Sequence, residues 1–100
     1  MIEKQAVDRE KALLIGVIRP GITENIIHEH LDELELLADT AGAEVVGRVT
    51  QKVSRINAAT FLGKGKARQV IDQAAALGVS LILFDDELSP AQTRNLERVF

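Results

Sequence analysis

Thr60-Phe61-Leu62-Gly63-Lys64-Gly65-Lys66 sets two glycines and two lysines where a loop runs into a helix. These residue types at this spacing suit the binding of phosphate. Glycines let the backbone bend toward a ligand, the first amides of a helix point at it, and lysines supply the countercharge. The flanks extend the signal. No acidic residue lies between Glu44 and Asp72, whereas Arg48, Lys52, Arg55, Lys64, Lys66 and Arg68 all fall in that interval. The chain as a whole carries a net charge of -3, so its charges are segregated. RNA phosphate is the expected ligand and nucleotide phosphate the alternative. The plain reading is a solvated cationic face that balances acidic helices.

Two stricter phosphate motifs fail. The loop of nucleoside triphosphatases, G-x-x-x-x-G-K-[ST], aligned on Gly65-Lys66, meets Thr60 instead of its first glycine. It meets Ala67 instead of the magnesium-binding hydroxyl. The dinucleotide fingerprint matches at Gly63 and Gly65 but meets Arg68 at its third glycine. Asp85-Asp86-Glu87 offers three carboxylates. A magnesium role is conceivable for them, but support of a following helix start is the favoured reading, and pairing with Lys64 or Lys66 is an alternative. His28 and His30 stand two apart on an expected helix, point roughly opposite ways and cannot share a metal. Ser89 has no histidine near it in sequence. No catalytic residue and no metal ligand is assigned.

The totals narrow the field. One hundred residues make at most one domain. A chain of this size buries roughly 65% of its unfolded surface, enough for a thin core. Without cysteine, disulfides, thiolate metal sites and cysteine nucleophiles are excluded, which fits a reducing cytoplasm. No apolar run reaches bilayer length, and Met1 to Lys11 lacks the apolar core of a signal peptide. Phe61, Phe84 and Phe100 are the only aromatic residues, too few for a base-stacking platform. Any RNA contact would rest on cations, amides and shape.

The elements that position these residues alternate. Residues 1–10 are polar and expected to fray. Ala12 to Ile18 is continuously apolar, as in a strand covered on both faces, and Arg19-Pro20-Gly21 breaks it. A helix follows from about Glu24 or Asn25 to Ala41, with Thr23 as N-cap and Gly42 as stop. Its inner stripe is Ile27, Leu31, Leu34, Ala38 and Ala41; Glu29, Asp32, Glu35 and Asp39 face away. That acidic face should lie apart from the basic stretch, with Leu36 as a lone exposed leucine. Glu44 to Thr50 reads as a second strand nearer an edge, and Gln51 to Ala59 as the longest loop. Thr60 to Leu62 reads as a short extended piece. A second helix runs from near Lys64 to Gly78, burying Ala67, Val70, Ile71, Ala74 and Ala75. Val79 to Phe84 is a third strand. Ser89-Pro90-Ala91-Gln92 opens a third helix through a capping box, with Leu96 and Val99 inward. The order β-α-β-α-β-α implies an α/β fold in three layers with a small, mostly parallel sheet, strand order 2-1-3. Ligands of such sheets gather at the carboxyl ends of the strands.

Three blocks taken together resemble a known family. They are Ala41-Gly42-Ala43-Glu44-Val45-Val46-Gly47, the Thr60 to Lys66 block, and Phe84 to Gln92 with Arg94-Asn95-Leu96-Glu97. The chain is similar, from about Lys11 onward, to the N-terminal domain of HflX-type GTPases. The resemblance implies a cytoplasmic, ribosome-associated GTPase that splits ribosomes under stress, with its GTP and magnesium held in a separate domain. It implies that this domain docks on large-subunit ribosomal RNA. Gln51 to Ala59 would be the loop that reaches toward the peptidyl transferase centre. ATP binding by the domain has also been proposed for the family. This sequence stops before the family's next strand, its helical linker and its GTP domain, so GTP turnover is not expected of it.

Three functions compete: a ribosomal RNA-binding module, a small nucleotide-binding or phosphohydrolase domain, and a structural or protein-interaction domain. The expected phosphate-binding residues are Arg48, Lys52, Arg55, Gly63, Lys64, Gly65, Lys66 and Arg68. The strand order also leaves the apolar third strand at an edge, so self-association through that edge or the last helix is expected.

Overall fold

The computed structural model of the chain describes residues 9–99, without the side chain of Val99. The expected fraying of residues 1–8 and the inward packing of Val99 lie outside the described residues. Arg9 and Glu10 are tied to the start of the sheet. Arg9 donates to Asp39 Oδ1 at 2.7 Å, to Gly42 O at 3.1 Å and to the Ala43 carbonyl. Glu10 O accepts from Glu44 N at 2.8 Å.

Three strands and three helices alternate: β1 (Lys11–Ile18), α1 (Glu24–Thr40), β2 (Glu44–Lys52), α2 (Lys64–Leu77), β3 (Leu81–Phe84) and α3 (Pro90–Val99). The sheet is parallel in the expected order β2-β1-β3. Lys11 to Ile18 pairs with Glu44 to Lys52, with a shift between Ala12 and Leu13, and Ala12 to Ile15 pairs with Leu81 to Phe84.

The apolar run of β1 is central because both its faces are covered. Its even-numbered residues and its odd-numbered ones point to opposite sides of the pleat. Leu14 and Ile18 pack on Ile27 and Leu31 of α1, and Ala12 joins Ala38. Leu13, Ile15 and Val17 enter the larger core with Val49, Phe61, Ala67, Val70, Ala74 and Leu96, beneath α2 and α3. Leu34 is half-buried beside the α1 stripe, whereas Ala41 is exposed. On α2, Ile71 is half-buried and Ala75 exposed, so the buried stripe is narrower than expected. Leu36 is exposed as expected, and Leu37 joins it.

Gly16 lets α1 close on the sheet. A Cβ there would lie 2.6 Å from Ile27 Cγ2 and 3.1 Å from Leu31 Cδ1. Gly16→Ala should therefore cost about 1–3 kcal/mol by overpacking, read from the urea midpoint. An unchanged midpoint would mean that α1 yields freely.

Local capping sets the helix ends as the sequence implied. Thr23 Oγ1 accepts from Ile26 N at 3.2 Å. Gly78 closes α2 in the left-handed conformation, φ 67°. Ser89 and Gln92 form the reciprocal capping box, with Gln92 N to Ser89 Oγ at 3.1 Å and Ser89 N to Gln92 Oε1 at 2.9 Å. Among the described residues no helix is long and apolar enough to cross a membrane.

Candidate nucleic-acid interface

The loops after β1, β2 and β3 meet at the carboxyl edge of the sheet. The connection after β1 leads to β2 on one flank, and the connection after β2 crosses to β3 on the other. The edge at β1 and β3 is thus the switch point where open α/β sheets place ligands.

The long loop is residues 53–63, not Gln51 to Ala59, because Gln51 and Lys52 extend β2, and it carries more regular hydrogen bonding than its lack of periodicity implied. Asn57 and Phe61 pair as an antiparallel bridge, each amide donating to the other's carbonyl at 2.9 Å. Asn57 Oδ1 accepts from Ala59 N at 2.8 Å and from Thr60 N at 2.9 Å. Phe61 takes a positive φ of 69°, unlike the extended geometry expected over Thr60 to Leu62. Its buried ring meets Phe84 edge-on at 6.1 Å, and the Arg19 guanidinium lies 5.8 Å from the ring centre. The Phe61 ring is not free to stack on a base.

Lys52, Arg55, Gly63 and Lys66 line one concavity of about 440 Å³ together with Val53, Ser54, Asn57 and Leu62. α2 starts at the rim of this hollow. Its N-cap is Gly63, φ 90°, with no side-chain cap and no acidic residue in the first turn. Lys64 and Gly65 are exposed. The positive end of the helix dipole and its first amides therefore stand beside Lys52, Arg55, Lys64 and Lys66. Those four cations make no ion pair among the described residues. Arg68 follows a turn further on, exposed, with Asp72 at 3.8 Å.

Arg48 is not with them. Opposite Leu14 in the β1–β2 register, it lies on the α1 side of the sheet. It donates to Asp32 Oδ1 at 2.6 Å and to Glu35 Oε1 at 2.9 Å. Its hydrogen bonds to Asp32 and then Glu35 raise its pKa further above the ordinary guanidinium value. The acidic helix was expected to stand clear of the whole basic stretch. It instead captures one of that stretch's six cations.

The alternative pairing of the carboxylates after β3 with Lys64 or Lys66 is not formed. Asp86 pairs with Arg19, and Asp85 Oδ2 lies 3.1 Å from His30 Nδ1; neither pairs with Lys64 or Lys66. Among the described residues no group of side chains has the makings of a metal site. Sequence reasoning brought Arg19 to this edge but did not pair it with Asp86, and it missed the tie to the loop made by two amides of α3, Gln92 and Asn95. Gln92 Nε2 donates to Asn57 O at 2.8 Å, and Asn95 Nδ2 to Ala59 O at 3.0 Å. Gln92 gave one clue, as a buried polar side chain at a capping position, but its loop partner lies 35 positions away.

These features define a small doubly wound α/β domain with a cationic carboxyl edge. The family model described as the GTP-binding GTPase N-terminal domain matches residues 28–100. A GTPase HflX of Flavobacterium psychrophilum is 42% identical over 99% of this chain and 24% of its own length. A GTPase HflX of Lacrimispora saccharolytica is 54% identical over 97% of this chain and 22% of its own length. The GTPase HflX of Escherichia coli is 38% identical over 90% of this chain and 20% of its own length. The chain belongs to this family, that of the N-terminal domains of HflX-type GTPases. It spans about a quarter or less of the length of these relatives.

Proposed function

We propose that this domain binds large-subunit ribosomal RNA through its carboxyl edge and so docks an HflX-type GTPase on the ribosome. The observation that carries the reading is the uncapped start of α2 beside four cations that have no acidic partner among the described residues. A hollow lined by lysine, arginine and helix amides neutralises phosphate without reading bases. Lys52, Arg55, Lys64, Lys66 and Arg68 supply the charge, and Gly63 and Gly65 let the backbone approach. Arg48, held by Asp32 and Glu35, drops out of the set. GTP, magnesium and GTP hydrolysis belong to a further domain of the whole protein, which acts in the cytoplasm and splits ribosomes under stress.

Binding to isolated large subunits, measured across a salt series, tests this. Five phosphate-meeting cations give a slope of log K against log salt on the order of -3.5 to -4.5. Lys64→Glu with Lys66→Glu should weaken binding and flatten the slope by about 2. Binding that ignores salt, or survives the double reversal, would overturn the reading. The same helix start also suits the phosphates of ATP. If ATP binds with micromolar affinity while large subunits do not, the domain is a nucleotide-binding one.

A further inference from the structure

The position of Gln92 in the capping box accepts either glutamine or glutamate, since either side chain can accept from the Ser89 amide. Here the second end of that side chain has another task. With Oε1 committed to Ser89 N at 2.9 Å, Nε2 is turned onto Asn57 O at 2.8 Å. Only an amide can serve both partners; a glutamate would close the cap and set a carboxylate against a carbonyl. Gln92 is also the one buried polar or charged residue in the described core, 8% exposed. A buried polar group whose partners are both used is costly to disturb. One helical turn on, Asn95 Nδ2 donates to Ala59 O at 3.0 Å. The remaining polar bonds of residues 57–61 are among themselves and to Leu62 N, so beside the buried Phe61 ring these two amides are the polar ties that orient the loop on the body.

We infer that Gln92 and Asn95 are positioning residues: α3 holds the loop through them and thereby fixes the cationic hollow in the geometry that meets phosphate. This rests on the proposed RNA-binding function but concerns residues that touch no ligand. Arg55 and Asn57 stand on the same loop and line the same hollow. Freeing the loop would leave every cation present but release Arg55 from its place beside Lys52 and Lys66, which stay on β2 and α2, so affinity would fall with charge unchanged.

The test uses Gln92→Glu, which keeps the cap, and Asn95→Ala, which removes a donor without changing charge. Ala91→Glu, an exposed site on the same helix, controls for the added charge. Amide exchange is followed at Ala59, Thr60 and Phe61 and in β1, and binding is measured to large-subunit ribosomal RNA. In both test variants the loop amides should exchange about tenfold faster, as loss of one hydrogen bond implies, while β1 keeps its protection. RNA affinity should fall about tenfold in Asn95→Ala relative to the parent, and by the same factor in Gln92→Glu beyond any loss in Ala91→Glu. Unchanged loop exchange would overturn the clamp. A loosened loop with undiminished affinity would overturn its positioning role. If the parent protein itself fails to bind RNA, the functional reading falls, and the exchange data alone decide whether α3 holds the loop.

Discussion

Truncating Phe61 to alanine should cost about 3–5 kcal/mol, the loss seen when a buried aromatic ring is removed from a core. The ring is 4% exposed and belongs to the larger core with Leu13, Ile15 and Val17. It also carries the edge-on contact with Phe84 and lies under Arg19. The loss is large beside the roughly 5–15 kcal/mol that holds an ordinary domain together. A second substitution separates ring from backbone. Phe61 sits at φ 69°, where a side chain with a Cβ is strained. Phe61→Gly loses the same ring but relieves that strain, so it should be more stable than Phe61→Ala by about 1 kcal/mol. Urea unfolding of the three proteins gives both differences. A loss under about 1 kcal/mol for the alanine variant would show that the ring is not a core element. An alanine variant more stable than the glycine one would show that the positive φ is not kept in solution.

The second large effect is on assembly. We propose that this chain self-associates through β3. Leu81 to Phe84 is wholly apolar, yet each of its residues is only half-buried, because β3 pairs with β1 alone. Asp85 N donates inward to Ile15 O, and the alternation of a parallel ladder turns the amides and carbonyls of Ile82 and Phe84 outward. A concavity of about 290 Å³ runs along the outer side, lined by Leu81, Ile82, Phe84, Leu88 and Leu96 among others. An exposed apolar edge is a template for another strand, and an identical edge from a second copy matches it about a two-fold axis. Sedimentation across a concentration series should show a dimer that grows with concentration. A strictly monomeric protein with slow amide exchange along Leu81 to Phe84 would rule this out.

Much of the architecture was legible in the chain because its causes are local. Seven apolar residues from Ala12 to Ile18, too short for a good helix and without alternation, fit a strand covered on both sides, and both sides are covered. Thr23, Gly78 and the Ser89–Gln92 pair mark helix ends through bonds that span four residues or fewer. The alternation of strands and helices then left a parallel sheet of order 2-1-3 as the simplest arrangement, and the glycine-lysine block had to fall at its carboxyl edge. Which charges meet was not legible. Arg48 and Lys52 stand four positions apart on one strand; Arg48 meets the acidic face of α1, while Lys52 stands at its exposed end, where the loops converge. Arg19 finds Asp86 across 67 positions, and Gln92 finds Asn57 across 35. Phe61 accepts a strained φ because its ring has a core to enter. Local sequence sets hydrogen bonds within a turn and the side of a strand a residue faces. Which distant group waits on that side depends on how the crossovers pack the helices, and that is decided only when the chain has folded.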